Sequence, residues 1–201
     1  PLRQSADAAY FRALAELAAE REIVLVSDEI YHAFCYDAPP VSPARFNPAT
    51  LVVDGFSKTY GMTGWRLGFA HGPAAVIEEM VKLQQYTFVC APHPLQWGAM
   101  TALDIDMESY RDAYRKKRDM LWEALRDDYE VERPGGAFYL FPKAPWGTGE
   151  EFVAKAIESK LLVIPGNIFS RRNTHFRISY AADDATIERG IEILRNLART
   201  G

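Results

Sequence analysis

The chain has 201 residues, 48% of them hydrophobic, 25% charged and 12% aromatic. These shares lie near the average for globular proteins and exclude disordered, collagen-like and low-complexity classes. A net charge of −4 with neither sign gathered into a block argues against nucleic acid as a partner, and two distant cysteines, Cys35 and Cys90, supply neither a disulfide framework nor a zinc site. No apolar run reaches the ~18 residues that a membrane helix needs, and no secretion signal is legible, so the chain reads as cytoplasmic with no membrane partner.

In chain order, Ser5 to Glu20 predicts an amphipathic helix with Phe11, Leu14, Leu17 and Ala18 on one face and Ser5 as N-cap. Ile23 to Val26 is a continuous apolar run ending on Ser27, Asp28 and Glu29, the pattern of a strand buried on both faces. Two further runs, Leu51 to Val53 and Leu67 to Ala70, end at Asp54-Gly55 and Gly72-Pro73. Pro73 would start a helix with Val76, Met80 and Leu83 along its buried stripe. This is the order of an α/β layer.

Beyond Pro92 and Pro94 the texture changes. Helices are expected at Leu95 to Leu103 and Glu108 to Arg126, with strands at Tyr129 to Glu132, Ala137 to Phe141, Leu162 to Ile164 and His175 to Tyr180. Glu150 to Lys160 reads as a helix, and a last one carries Ile187, Ile191 and Leu194 at i, i+4, i+7. Two domains are expected, 1–103 and 104–201, the second an α+β unit.

The stretch from Gly55 to Gly68 joins two core strands, yet it holds Lys58, Arg66 and four glycines. A phosphate-binding P-loop would need Gly where Ser57 precedes Lys58, and a dinucleotide fingerprint would need a Gly-x-Gly that is absent. Asp28 closes another strand, and ligands in open α/β sheets bind outside the carboxyl ends of strands, so Asp28 and Lys58 are expected at one rim. Read from the residues alone, turn-forming glycines, a solvated lysine and a capping Asp28 remain open alternatives.

Asp28-Glu29-Ile30-Tyr31, followed by Ser57-Lys58-Thr59-Tyr60-Gly61-Met62-Thr63-Gly64-Trp65-Arg66, resembles the class I and II aminotransferases, pyridoxal-phosphate enzymes of fold type I. The likeness continues through Gln84-Gln85-Tyr86-Thr87, Gln96 and Pro134-Gly135-Gly136-Ala137-Phe138-Tyr139 to Phe176-Arg177-Ile178-Ser179. It implies the C-terminal part of the family's large domain, with a mixed and mostly parallel sheet, plus the α+β small domain. The implied cofactor is pyridoxal 5'-phosphate. Lys58 is similar to the lysine that forms a Schiff base with the cofactor and later moves protons at the substrate α-carbon. Asp28 is similar to the acid that keeps the pyridine nitrogen protonated, and Tyr31 to the tyrosine that bonds the ring oxygen. Arg66 resembles the arginine that clamps the phosphate, and Arg177 the arginine that binds the substrate carboxylate. The family often carries a phosphate-binding serine where Gly55 stands; Ser57 takes that role in this reading, since residues two apart share a face of an extended strand.

The implied reaction moves an amino group between an amino acid and a 2-oxo acid in a homodimer. A PLP-dependent C–S β-lyase and the sensor domain of a transcription regulator share the same likeness. The family's glycine-rich phosphate loop, ring-stacking aromatic and Asn-Pro-x-Asn-Pro-Thr-Gly segment would precede Pro1, so the sequence is expected to be truncated at its N-terminus. Cys35 and Cys90 are expected to be reduced packing residues, and His32, His71, His93 and His175 show no metal-ligand spacing. Arg171 and Arg172, beside Phe169, read as a surface pair at the mouth of the site.

Overall fold

A computed structural model describes residues 7–200 and divides them into two compact units, 7–109 and 110–200. In the first, the alanine-rich helix α1 (Ala8–Glu20) buries Ala15 and Ala18. Its N-cap is Asp7, whose carboxylate accepts from the Tyr10 N–H at 2.7 Å; Ser5, the expected cap, lies outside the described residues. The helix ends on Glu22 in the left-handed region (φ 53°), with Glu22 N donating to Ala19 O and Ile23 N to Ala18 O. This is a Schellman ending without the usual glycine.

That ending removes Ile23 from the strand expected there. Strand β1 is Val26–Asp28, paired in parallel with β2 (Leu51–Gly55) through Val26↔Leu51 and Asp28↔Val53. Strand β3 (Gly68–His71) adds to β2 in the antiparallel sense, so the three-stranded sheet, in the order β1-β2-β3, is mixed. Short helix α2 (Phe56–Thr59) follows β2 directly, and α3 (Ala74–Thr87) and α4 (His93–Ala102) complete the unit. Phe56, Leu67, Ala99 and Ala102 form a small core against which Tyr60, Met62 and Ala91 pack.

Burial departs from the sequence expectation. Val24 is 77% exposed, Val26 55% and Leu83 65%, and Val76 and Met80 also lie open. The apolar pattern of β1 and α3 states what these faces need, and no element of the described residues meets it.

The second unit begins within the first turn of α5 (Glu108–Leu125). Strands β4 (Tyr139–Leu140), β5 (Ile164–Pro165) and β6 (Phe176–Ser179) form an antiparallel sheet in the order β4-β6-β5. Helix α6 (Gly149–Glu158) packs on this sheet and α7 (Asp184–Arg199) packs on α6. Phe152 and Phe176, with ring centroids 4.5 Å apart, form the centre of an aromatic core with Tyr129 and Trp146. Helix α7 adds Ile187, Ile191, Leu194 and Leu197 at the expected spacing. Tyr129 to Glu132 is not a strand: Tyr129 N closes α5 on Leu125 O and its hydroxyl donates to Leu194 O at 2.6 Å. The side chain is thus committed to the core rather than to a sheet face.

Candidate functional site

The first unit gathers chemistry where β1 and β2 end. Glu29 N donates to Val53 O at 2.8 Å, the last rung of the parallel ladder. There the Asp28 carboxylate accepts from Ile30 N at 3.2 Å, a local turn that leaves its other oxygen open. Tyr31 is half-buried at the head of a 3₁₀ turn, His32–Phe34. The neighbouring Glu29 carboxylate accepts from the Ser42 hydroxyl at 2.6 Å.

On the β2 side, Gly55 faces Gly68 across the sheet. A Cβ at Gly68 would lie 2.9 Å from Asp54 O, and one at Gly55 3.0 Å from Leu67 O, so the strands close here only because both residues are glycine. This approach delivers the chain into α2, where Phe56 points into the core and Lys58 is left half-buried. Among the described residues the Lys58 amine has no carboxylate partner. Ser57 O accepts from the Thr63 hydroxyl at 2.8 Å, and Thr63 O accepts from Arg66 Nη1 at 3.2 Å. Ser57, Thr63 and Arg66 therefore belong to one loop, with Gly61 turning it at φ +65°. Arg66 is itself left-handed (φ 52°), a conformation that costs a residue with a Cβ about 1–3 kcal/mol.

Asp28 closes β1, and Tyr31, Ser57, Lys58 and Arg66 follow the carboxyl ends of β1 and β2. Arg177 belongs to the other unit, on β6, with its guanidinium 4.4 Å from the Tyr139 ring centroid and 4.3 Å from that of Phe169. Both rings lie within cation–π range of the guanidinium. Tyr139 also lines a cavity of about 330 Å³ with Glu130, Glu132, Phe141 and His175. Burial, aided by the Lys143 and Arg172 charges, holds the His175 imidazole below its usual range, with Glu130 opposing.

Sequence reasoning missed two features. Thr63 ties Ser57 to Arg66 and carries no signal beyond its place in the motif. His32 Nδ1 lies 2.8 Å from Asp54 Oδ2, although the two are 22 positions apart and nothing in their local patterns links them. The Asp54 hydrogen bond, with smaller help from the Glu29 carbonyl and the two nearby carboxylates, raises the His32 pKa against the opposing effect of burial. Cys35 and Cys90 are both free thiols, and burial pushes the Cys35 thiol up. Among the described residues no three His, Cys, Asp or Glu side chains group as a metal site, and no helix is long and apolar enough to cross a membrane.

The chain is similar to known proteins in sequence and fold. A probable aspartate aminotransferase of Methanocaldococcus jannaschii is 36% identical over 197 residues, covering 92% of this chain and 52% of the relative. The aromatic aminotransferase of Pyrococcus horikoshii superposes with a TM-score of 0.92 at 31% identity, over 98% of this chain and 56% of that one. The aspartate aminotransferase of Thermus thermophilus solved with maleate gives 0.91 at 33% identity, over 95% and 52%. The chain spans about half the length of the curated relatives it matches. The family model for aminotransferase class I and II matches residues 4–194, and the chain belongs to that family.

Proposed function

We propose that the intact protein is a cytoplasmic, homodimeric, pyridoxal-phosphate-dependent aminotransferase that moves an amino group between an amino acid and a 2-oxo acid. Residues 1–103 act as part of the cofactor-binding domain and 104–201 as the small domain. The observation that carries this reading is the half-buried Lys58 amine, free of carboxylate partners among the described residues and set at the same end of a parallel strand pair as Asp28. The donor set fits the cofactor: a primary amine for its aldehyde, a carboxylate for its pyridine nitrogen, and a guanidinium with a neighbouring hydroxyl for its phosphate.

When bound, pyridoxal phosphate supplies an electron-accepting ring that takes up the electron pair of the substrate Cα–H bond. Lys58 would hold the cofactor covalently through Nζ, and its amine would move the proton at the substrate Cα. The Asp28 carboxylate, with one oxygen left open by its turn, would keep a proton at the pyridine nitrogen. The Tyr31 hydroxyl would donate to the ring oxygen. Arg66 and Ser57, on one loop, would receive the phosphate, and the Arg177 guanidinium would take the substrate carboxylate. Exposed apolar faces on β1 and α3 support association with further protein, in line with a dimer. Free thiols suit a reducing compartment.

Borohydride reduction of the intact protein with pyridoxal phosphate tests the reading. The label is expected on the peptide containing Lys58, and recovery on another lysine overturns it.

A further inference from the structure

The parallel ladder stops at Glu29 N to Val53 O, and beyond it both strands leave the sheet: one through the turn bearing Asp28 and Tyr31, the other through Asp54-Gly55 into the helix bearing Lys58. Two contacts span the gap past that last rung. The Ile30 side chain lies over Gly55, with its Cδ1 3.3 Å from where a Cβ would stand. The other contact is polar and joins His32 Nδ1 to Asp54 Oδ2 at 2.8 Å. The same Nδ1 lies 3.0 Å from Glu29 O, and the second Asp54 oxygen accepts from Gly55 N at 2.6 Å. Asp54 is 9% exposed, and among the described residues His32 is the one basic side chain paired with it. The charged groups bearing on His32 are Asp54 from β2 and Glu29 from its own turn, the latter already engaged by Ser42.

We propose that His32 and Asp54 form a positioning clamp, locking the turn that carries Asp28 and Tyr31 to the strand end that carries Lys58 and so fixing the spacing between carboxylate and amine. Without the imidazole, a nearly buried carboxylate loses its side-chain donor and turns toward solvent, and Gly55, bonded to it, moves with it. Since α2 starts at the next residue, the displacement reaches Lys58. The clamp touches no reacting atom; it acts through the residues on either side. Its consequence for the cofactor rests on the reading of Lys58 and Asp28 given under the proposed function.

The test uses the intact protein as wild type, His32→Ala and His32→Asn. Asn can present its side-chain N–H where Nδ1–H stood. Three quantities are read: cofactor affinity, the midpoint of the pH titration of the bound cofactor's absorbance, and hydrogen exchange at the Glu29 amide. His32→Ala is expected to weaken cofactor binding about tenfold, the equivalent of about 1.4 kcal/mol, to shift the titration midpoint, and to speed exchange at Glu29. His32→Asn should bring all three back toward wild type. A merely structural histidine would leave the titration midpoint in place. Wild-type values for all three in His32→Ala, or an Asn variant no better than Ala, overturn the clamp. If reduction places the cofactor on a lysine other than Lys58, the functional reading fails by itself. Exchange at Glu29 then still decides the clamp: faster in Ala and restored in Asn upholds it, and unchanged overturns it.

Discussion

Arg118 is a guanidinium on α5 that is 1% exposed, a costly thing to bury, and its replacement tests what holds the second unit together. Its Nε donates to Asp119 Oδ1 at 2.9 Å and its Nη1 to Pro134 O at 3.1 Å. The Asp119 carboxylate is 37% exposed and also lies 3.8 Å from Arg133, so it re-solvates readily and its loss costs only about 0–1 kcal/mol. Pro134 is buried, and its carbonyl left without a donor costs about 1–3 kcal/mol. Arg118→Met keeps the apolar stem and relieves the guanidinium's desolvation, so the lost hydrogen bonds dominate and a loss of about 1–3 kcal/mol is expected. Arg118→Ala also removes the stem and should lose about 1–2 kcal/mol more through the cavity. Urea unfolding followed by the near-ultraviolet signal of the second unit's aromatic core measures both. Because Pro134 leads through Gly135 and Gly136 to Tyr139, the ring that faces Arg177, the Met variant should also bind substrate more weakly. A Met variant as stable as wild type within about 0.5 kcal/mol refutes the reasoning, since the buried charge would then cost as much as its bonds return.

Asp28→Asn should keep the cofactor and lose most turnover, each unit of lost pyridine pKa being worth about 1.4 kcal/mol; comparable activity in steady-state assays rules out the charge role. Arg177→Ala is expected to raise KM for amino acids at normal cofactor content, by about 2 kcal/mol in kcat/KM, the low end for a charge pair because the arginine is half-buried; loss of cofactor instead assigns it elsewhere. The His32 pKa is raised from its ordinary 6.5, so the stability from its pair with Asp54 is present in full below 6.5 and fades as pH climbs through the higher folded value. Melting curves of wild type and Asp54→Asn should therefore differ most in mildly acidic buffer and converge toward alkaline pH, and a gap that widens with pH contradicts the assignment.

Helices were the most legible part of this chain, because a 3.6-residue apolar period is written locally. Glu108–Leu125, Gly149–Glu158 and Asp184–Arg199 lie where the periodicity placed them. Strand edges were less legible. The shift of β1 from Ile23 toward Asp28 follows from a helix ending at Glu22, and α6 ends the same way at Lys160; neither position carries the glycine that announces such a turn. Tyr129 to Glu132 has strand-like composition, but Tyr129 finds a better partner in Leu194 O, 65 positions away. Burial along β1 and α3 was read from a one-dimensional pattern that reports the need for a neighbour, not its presence.

The motif from Ser57 to Arg66 and the Asp28 turn could be located by sequence alone, because their residue types and spacing are local properties. Which residues support them could not. Gly55 and Gly68 matter because two strands meet there, Tyr139 and Phe169 because their rings lie against Arg177, and His32 because it reaches Asp54. Each of these depends on distance between positions far apart in the chain, and that distance is set by packing and strand register, which only the tertiary structure decides.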